Sequence, residues 1–204
     1  MVYGSGTLAL TRNEARLIGF LLRNFTERYS INRLAKELGL SPMGTRKIAM
    51  KMEKAKILRS EPISNAIYYH PKLDEEIGRK VAELVLTDKE LNPYARAQAK
   101  DFEALRPYTL CTVLFGSVLS KAEKAGDIDV LLVLEKKQFS SVHAVLKGLQ
   151  SIKPKRIGEM IQSREDLVRN FKKRDAPLLD AIRTGQVLWG ADVIVEAMRN
   201  DTSR

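Results

Sequence analysis

The runs TVLFGS (residues 112–117) and DIDVLLVL (residues 127–134), nine residues apart, decide how the second half of this 204-residue chain is read. Both are short, rich in aliphatic residues and bounded by glycine or charge, which is how buried strands are written. Asp127 and Asp129 are separated by one residue, so on a strand their carboxylates point to the same face. Two hard oxygen ligands then lie beside a small-residue turn that phosphates can approach. Magnesium-dependent phosphoryl or nucleotidyl transfer needs that arrangement.

Working outward, the chain beyond Pro107 alternates between periods. A strand over 110–115, a short helix over 117–124, a strand over 128–134, a helix over 138–152 and a strand over 156–161 are expected. Helices opened by Ser163 and Asp175 follow. The pattern predicts an α/β domain with a small mixed sheet.

The residues LFGS, a nine-residue spacer and DIDVLLV resemble the polymerase-beta-like nucleotidyltransferase superfamily, in particular the minimal nucleotidyltransferases. The resemblance covers about residues 93–190. It implies that Gly116 and Ser117 hold a nucleoside triphosphate through backbone N–H groups and the Ser hydroxyl at a helix start. It implies that Asp127 and Asp129 bind two magnesium (or manganese) ions, for in-line transfer of a nucleoside monophosphate, AMP from ATP first among them, to a hydroxyl. A third carboxylate on an adjacent strand is usual in that family, and Glu159 in KRIGEMIQS is the candidate. Relatives carry an Arg shortly after Gly-Ser; Ser120 stands there in this chain, leaving Lys121 or Lys124 to supply the charge.

The basic excess lies at the other end. Residues 1–70 hold 12 Lys plus Arg against 5 Asp plus Glu, whereas the remainder holds 23 against 20. A basic module beside a near-neutral one suggests a polyanionic partner, with an ordinary basic surface as the alternative. Thr11-Arg12-Asn13-Glu14 has the form of a capping box opening a helix over 12–24. Ser30 can cap a short helix that Gly39 ends, and Ser41-Pro42 opens another running to about Lys54. On that third helix Thr45, Ile48, Ala49 and Met52 share one face, while Arg46, Lys47, Met50, Lys51 and Lys54 lie largely on the other. Two short strands, 57–60 and 66–69, joined by a Pro/Ser/Asn turn, complete the module.

INRLAKELGLSPMGTRKIAMKMEKAKIL (residues 31–58) resembles the winged helix-turn-helix domains of bacterial and archaeal transcription regulators, over about residues 8–72. The resemblance implies DNA contacts from Arg46, Lys47 and Lys51 on the recognition helix and from Arg59 on the wing. A homodimer is the default expectation for such a DNA binder. The same fold also serves as a protein-interaction module.

Between the modules an amphipathic segment over 73–86 presents Ile77, Val81, Leu84 and Val85 as a stripe, and Asn92-Pro93 starts a helix through Leu105 that Arg106-Pro107 stops. The expected organisation is therefore a winged helix over 1–72, connecting helices over 73–106 and a nucleotidyltransferase-like domain over 107–204. No apolar run is long enough to span a bilayer, and the start Met-Val-Tyr-Gly-Ser-Gly lacks a signal core, so a cytoplasmic protein with no membrane partner is expected. The lone Cys111 excludes a disulfide framework and a cysteine zinc site. His70 and His143 are too isolated for a metal or triad site.

Two functions fit these readings. One is a metal-dependent nucleotidyltransferase fused to a DNA-binding module, with a partner protein, an RNA end or a small molecule as acceptor. The other is a DNA-binding regulator whose nucleotidyltransferase-like domain is inactive and serves as a nucleotide sensor or dimerisation module.

Overall fold

A computed structural model describes residues 9–88 and 90–202. Met1–Gly6, read above for the absence of a signal core, lies outside them. The chain is of mixed α+β class and divides after Val85 into two compact units.

In the first unit, α1 (Arg12–Arg23), α2 (Ile31–Leu38), α3 (Pro42–Lys54), β1 (Leu58–Ile63) and β2 (Ala66–Pro71) follow in order. Their ends are set by local hydrogen bonds. Glu14 Oε2 accepts from the Thr11 N–H at 2.7 Å, and Thr11 Oγ1 accepts from the Glu14 N–H, closing the capping box. Ser30 and Ser41 cap α2 and α3 through the N–H groups of Arg33 and Gly44, and Gly39 ends α2. The strands pair antiparallel from Leu58 with Pro71 to Ile63 with Ala66, leaving Ser64-Asn65 as a two-residue turn. A single bridge from Ser30 to Tyr68 ties the start of α2 to this hairpin. Three helices, a hairpin and that bridge make a winged helix-turn-helix. Leu17, Leu22, Leu34, Ala49 and Met52 are fully buried beneath it.

α4 (Glu76–Thr87) crosses the division between the units. Its buried stripe is Val81, Ala82, Val85 and Leu86. Leu84, expected on the stripe, is exposed, because the buried residues at 81, 82, 85 and 86 centre on another face of the helix.

The second unit opens with α5 (Pro93–Phe102), capped by Asn92. Pro107 does not stop a helix at Leu105 as expected. It sits inside a 3₁₀ segment, Glu103–Tyr108, that continues from α5. β3 (Cys111–Phe115), α6 (Val118–Lys121), β4 (Asp127–Val133), α7 (Phe139–Ile152), β5 (Arg156–Gln162), α8 (Arg164–Lys172), α9 (Ala176–Thr184), β6 (Gln186–Trp189) and α10 (Ala191–Thr202) follow. The sheet order is β5-β4-β3-β6, with β4 and β5 parallel and the other neighbours antiparallel. β6 and α10 have no counterpart in the sequence reading. β6 is followed by Gly190, whose φ is +73°; a Cβ there would lie 1.9 Å from the Leu110 carbonyl, so only glycine lets the chain pass the start of β3 so closely.

One face of the sheet, with Leu114, Ile128, Val130, Leu132 and Ile157, packs on Phe102, Leu105, Val142 and Leu146 from α5 to α7. On the other face Val113, Leu131 and Val133 are also buried, and α9 and α10 pack on β3. Asp127 and Asp129 continue that second face to the rim, where Asp127 is exposed.

Candidate nucleic-acid interface and candidate nucleotide site

On α3, burial of Thr45, Ala49 and Met52 turns the opposite side outward. Arg46 and Lys47 are exposed there and, among the described residues, make no hydrogen bond or ion pair; Arg59 on β1 is likewise exposed. Lys51, grouped with them in the sequence, has another engagement. Its Nζ lies 2.6 Å from Glu14 Oε1, a carboxylate almost entirely buried, so Lys51 joins α3 to the capping box of α1. Burial works against the Glu14 charge, yet the Lys51 ammonium and the Thr11 bonds outweigh it and hold the carboxyl below its ordinary range. The wing is braced by Glu61, which lies 3.2 Å from Arg28 Nη2 and 3.0 Å from His70 Nε2.

In the second unit, Phe115 pairs with Asp129, so Gly116 leaves β3 beside that carboxylate. Gly116 has φ +76°, and a Cβ built on it would lie 2.2 Å from Asp129 Oδ2. On the other flank, Asp129 is in register with Gly158 of β5, where a Cβ would lie 2.6 Å from Asp129 Oδ1. The carboxylate is thus seated between two glycines. Neither Asp127 nor Asp129 makes a hydrogen bond or ion pair among the described residues. Burial, and then the neighbouring Asp127 charge, push the Asp129 carboxyl above its ordinary range.

The loop from β3 to β4 is held from outside. Asn92 Nδ2 donates to the carbonyls of Val118 and Leu119 at 3.0 and 3.1 Å, and Lys155 Nζ donates to the Glu123 carbonyl while lying over the Tyr94 ring. Ala122 within it adopts φ 48° and ψ −123°, a conformation that costs an alanine of the order of 1–3 kcal/mol and persists only where the surroundings impose it.

The register revises one sequence expectation, Glu159 as a third ligand, and the local structure describes the surroundings of two others, Ser117 and Lys121. Glu159 pairs with Val130 across the parallel β4–β5 ladder, so it lies on the sheet face opposite Asp129 and is exposed at the edge strand. The residues of β5 that share the acid face are Arg156, Gly158, Met160 and Gln162, none of them acidic. The helix after Gly-Ser is a single turn of four residues, and Ser117 does not cap it with its side chain, so little helix dipole is aimed at that spot. Lys121 is exposed on that turn and makes no side-chain contact with either carboxylate.

Arg156 is the residue the sequence reading passed over. It stands in register beside Asp127 on the same face, exposed and, among the described residues, without an ion pair. A guanidinium there offers the fork that suits phosphate and that Ser120 cannot offer. Its only signal in the sequence was its place two residues before Gly158. Two carboxylates can supply two of the oxygen ligands of one divalent cation; among the described residues no group of three or more His, Cys, Asp or Glu side chains is placed to hold a metal.

No protein-family model matches the chain, and no curated protein matches it. Among solved structures it is similar to ZitR of Lactococcus lactis. One point mutant aligns at 16% identity and a TM-score of 0.34 over 53% of this chain and 69% of that one. A second aligns at 11% and 0.35 over 73% and 79%. A further structure, described as a zinc-responsive MarR family member, aligns at 16% and 0.31 over 52% and 81%. The winged-helix description of the first unit rests on its own element order and strand register.

Proposed function

We propose that this chain is a DNA-binding protein whose first unit contacts duplex DNA through α3 and the wing, and whose second unit binds a metal–nucleoside triphosphate. The observation that carries the first part is the pair Arg46 and Lys47: exposed cations, free of ion pairs among the described residues, on a helix fixed at its start by Ser41 and Pro42 and along its back by Thr45, Ala49 and Met52. Such cations cost nothing to aim at phosphates and base edges because no internal partner has to be given up. The test is fluorescence anisotropy of the full chain on duplex DNA across a salt series. Replacing Arg46 and Lys47 by Ala should weaken binding and flatten the plot of log K against log[salt] by roughly 2, since each lost phosphate contact removes about 0.9 from the slope. An unchanged affinity and slope would assign the surface to a protein partner.

The acid pair supports the second part. Asp127 and Asp129 would hold one magnesium or manganese ion together with the triphosphate; when bound, that ion offsets phosphate charge and polarises the bond that breaks. Gly116 gives the phosphates close backbone approach, and Arg156 is positioned to take a phosphate oxygen. Calorimetric titration of ATP and GTP, with and without magnesium, into wild type and the Asp127→Asn/Asp129→Asn variant tests this reading. Metal-dependent binding lost in the variant supports it; absence of binding to folded wild type refutes it.

Transfer of the nucleoside monophosphate to a hydroxyl is the enzymatic form of the same reading. With Gly158 where a third acid would stand, the residues favour binding over transfer, and so a DNA-binding regulator that senses a nucleotide. Incubation with ATP labelled on its α-phosphate separates the two: a labelled acceptor, protein, RNA or small molecule, would make the chain an enzyme.

A further inference from the structure

The first unit carries an apolar groove in the midst of its basic surface. It has a volume of about 410 Å³ and lies between the starts of α2 and α3 and the tip of the wing, lined among others by Ile31, Pro42, Met43, Arg46, Asn65 and Ile67. Met43 is 70% exposed and Ile67 41%, and Met50, two turns along α3 from Met43, is 53% exposed. None of these side chains is required by the core beneath, where Thr45, Ala49 and Met52 fill the buried face of α3. Exposed apolar groups of this size gain free energy when a partner covers them.

The surroundings say what that is. Arg46 is three residues from Met43 and Lys47 four, so on the helix surface the cations flank the methionine. A duplex drawn in by those charges would meet Met43 first, because the N-terminal turn of a recognition helix is the part that reaches base edges. In the major groove the apolar feature of a base edge is the 5-methyl group of thymine.

We infer that this groove reads thymine methyl groups, with Met43 from the helix and Ile67 from the wing closing on them and Arg46 holding an adjacent guanine or phosphate. The inference rests on the DNA-binding reading and adds a base preference to it.

The experiment starts from a random-sequence duplex library enriched on the full-length wild-type chain. Enriched duplexes are resynthesised with deoxyuridine for thymine, which deletes only the methyl groups, and both forms are measured by anisotropy. Wild type should prefer the thymine form by about fourfold per contacted methyl, the factor that burying one methyl-sized apolar group gives. Met43→Ala/Ile67→Ala should lose that preference while keeping the salt-dependent part of the affinity, and Met43→Leu should retain it. Both substitutions fall on exposed side chains, and an unchanged melting temperature verifies that the fold is kept. Equal affinity of wild type for the two forms, or a preference that survives the double substitution, overturns the inference alone. No enrichment and no binding at any salt overturns the DNA-binding reading and the inference with it. A change in oligomeric state on Met43→Ala without loss of thymine preference would make the groove a contact between copies and overturn it too.

Discussion

Gly116→Ala gives the sharpest test of the acid site, because two separate costs fall on one methyl group. The first is conformational: at φ +76° an L-residue pays about 1–2 kcal/mol that glycine does not. The second is steric, since the new Cβ would lie 2.2 Å from Asp129 Oδ2. The carboxylate cannot simply turn aside, because its other oxygen already rests against Gly158, where a Cβ would be only 2.6 Å away. Forcing it off its rotamer or shifting β5 adds about 1–2 kcal/mol. In wild type the substitution should therefore cost roughly 2–4 kcal/mol; in an Asp129→Ala background, where the obstructing oxygen is gone, only about 1–2 kcal/mol should remain. The coupling between the two positions is then about 1–2 kcal/mol, well beyond the additivity scatter of about 0.3–0.5 kcal/mol. Urea unfolding followed by tryptophan fluorescence reads it, because the sole tryptophan, Trp189, sits on β6 of the same sheet. A coupling below about 0.5 kcal/mol would mean that Gly116 and Asp129 do not touch, and the geometry proposed for the nucleotide site would fall with it.

Asp129→Asn should stabilise the second unit at neutral pH. The folded-state carboxyl is raised by burial and by Asp127, so its ionisation opposes folding, and wild type should gain stability as pH falls through the carboxylate range while the variant does not; identical pH profiles from Trp189 fluorescence would refute this. Glu14 behaves oppositely: its lowered carboxyl contributes stability above the unfolded carboxylate value that is lost as pH falls through the folded one. Lys51→Met should remove that contribution and cost about 1–2 kcal/mol, less than a fully buried pair because Lys51 is largely exposed. Hydrogen exchange of α1 and α3 peptides measures it, and unaltered protection would show that the pair is incidental. In magnesium–ATP titrations, Arg156→Ala should weaken binding about tenfold or more, the loss of one charge-assisted bond of about 1.5 kcal/mol, and Glu159→Gln should leave it unchanged; the reverse ranking would put the third acid back in the site.

Much of the fold was legible because it is written locally. The side chains of Thr11, Ser30, Ser41, Asn92, Ser163 and Asp175 each accept a hydrogen bond from the N–H three residues on, and those bonds set where the helices start. β6 was not legible by the same means. Four residues are too few to display a period, and QVLW becomes a strand only through β3, more than 70 residues earlier in the chain. α10 follows Gly190 with no Ser, Thr, Asp or Asn directly before it to mark a start. Lys51 reads as another basic residue on an exposed face until α1 brings the buried Glu14 to it, 37 residues away.

The acid site shows the same division more sharply. Alternation along a strand tells which of its residues share a face, so Asp127 and Asp129 could be paired from the sequence alone. It does not tell how one strand is phased against another. That phase is set by the parallel register of β4 and β5, in which Val130 faces Glu159 and Asp129 faces Gly158. A slip of one residue would bring Glu159 onto the acid face, but it would also take Ile157, now buried against Phe102 and Val142 in the core cluster, out toward the rim. It would replace Gly158 beside Asp129 Oδ1 by a residue with a Cβ, where even a methyl group has 2.6 Å. The same two features that exclude the third carboxylate, an apolar residue fixing the phase and a glycine making room, are the ones that seat Asp129; a Glu159 ligand and a seated Asp129 are alternatives, and this chain has the second.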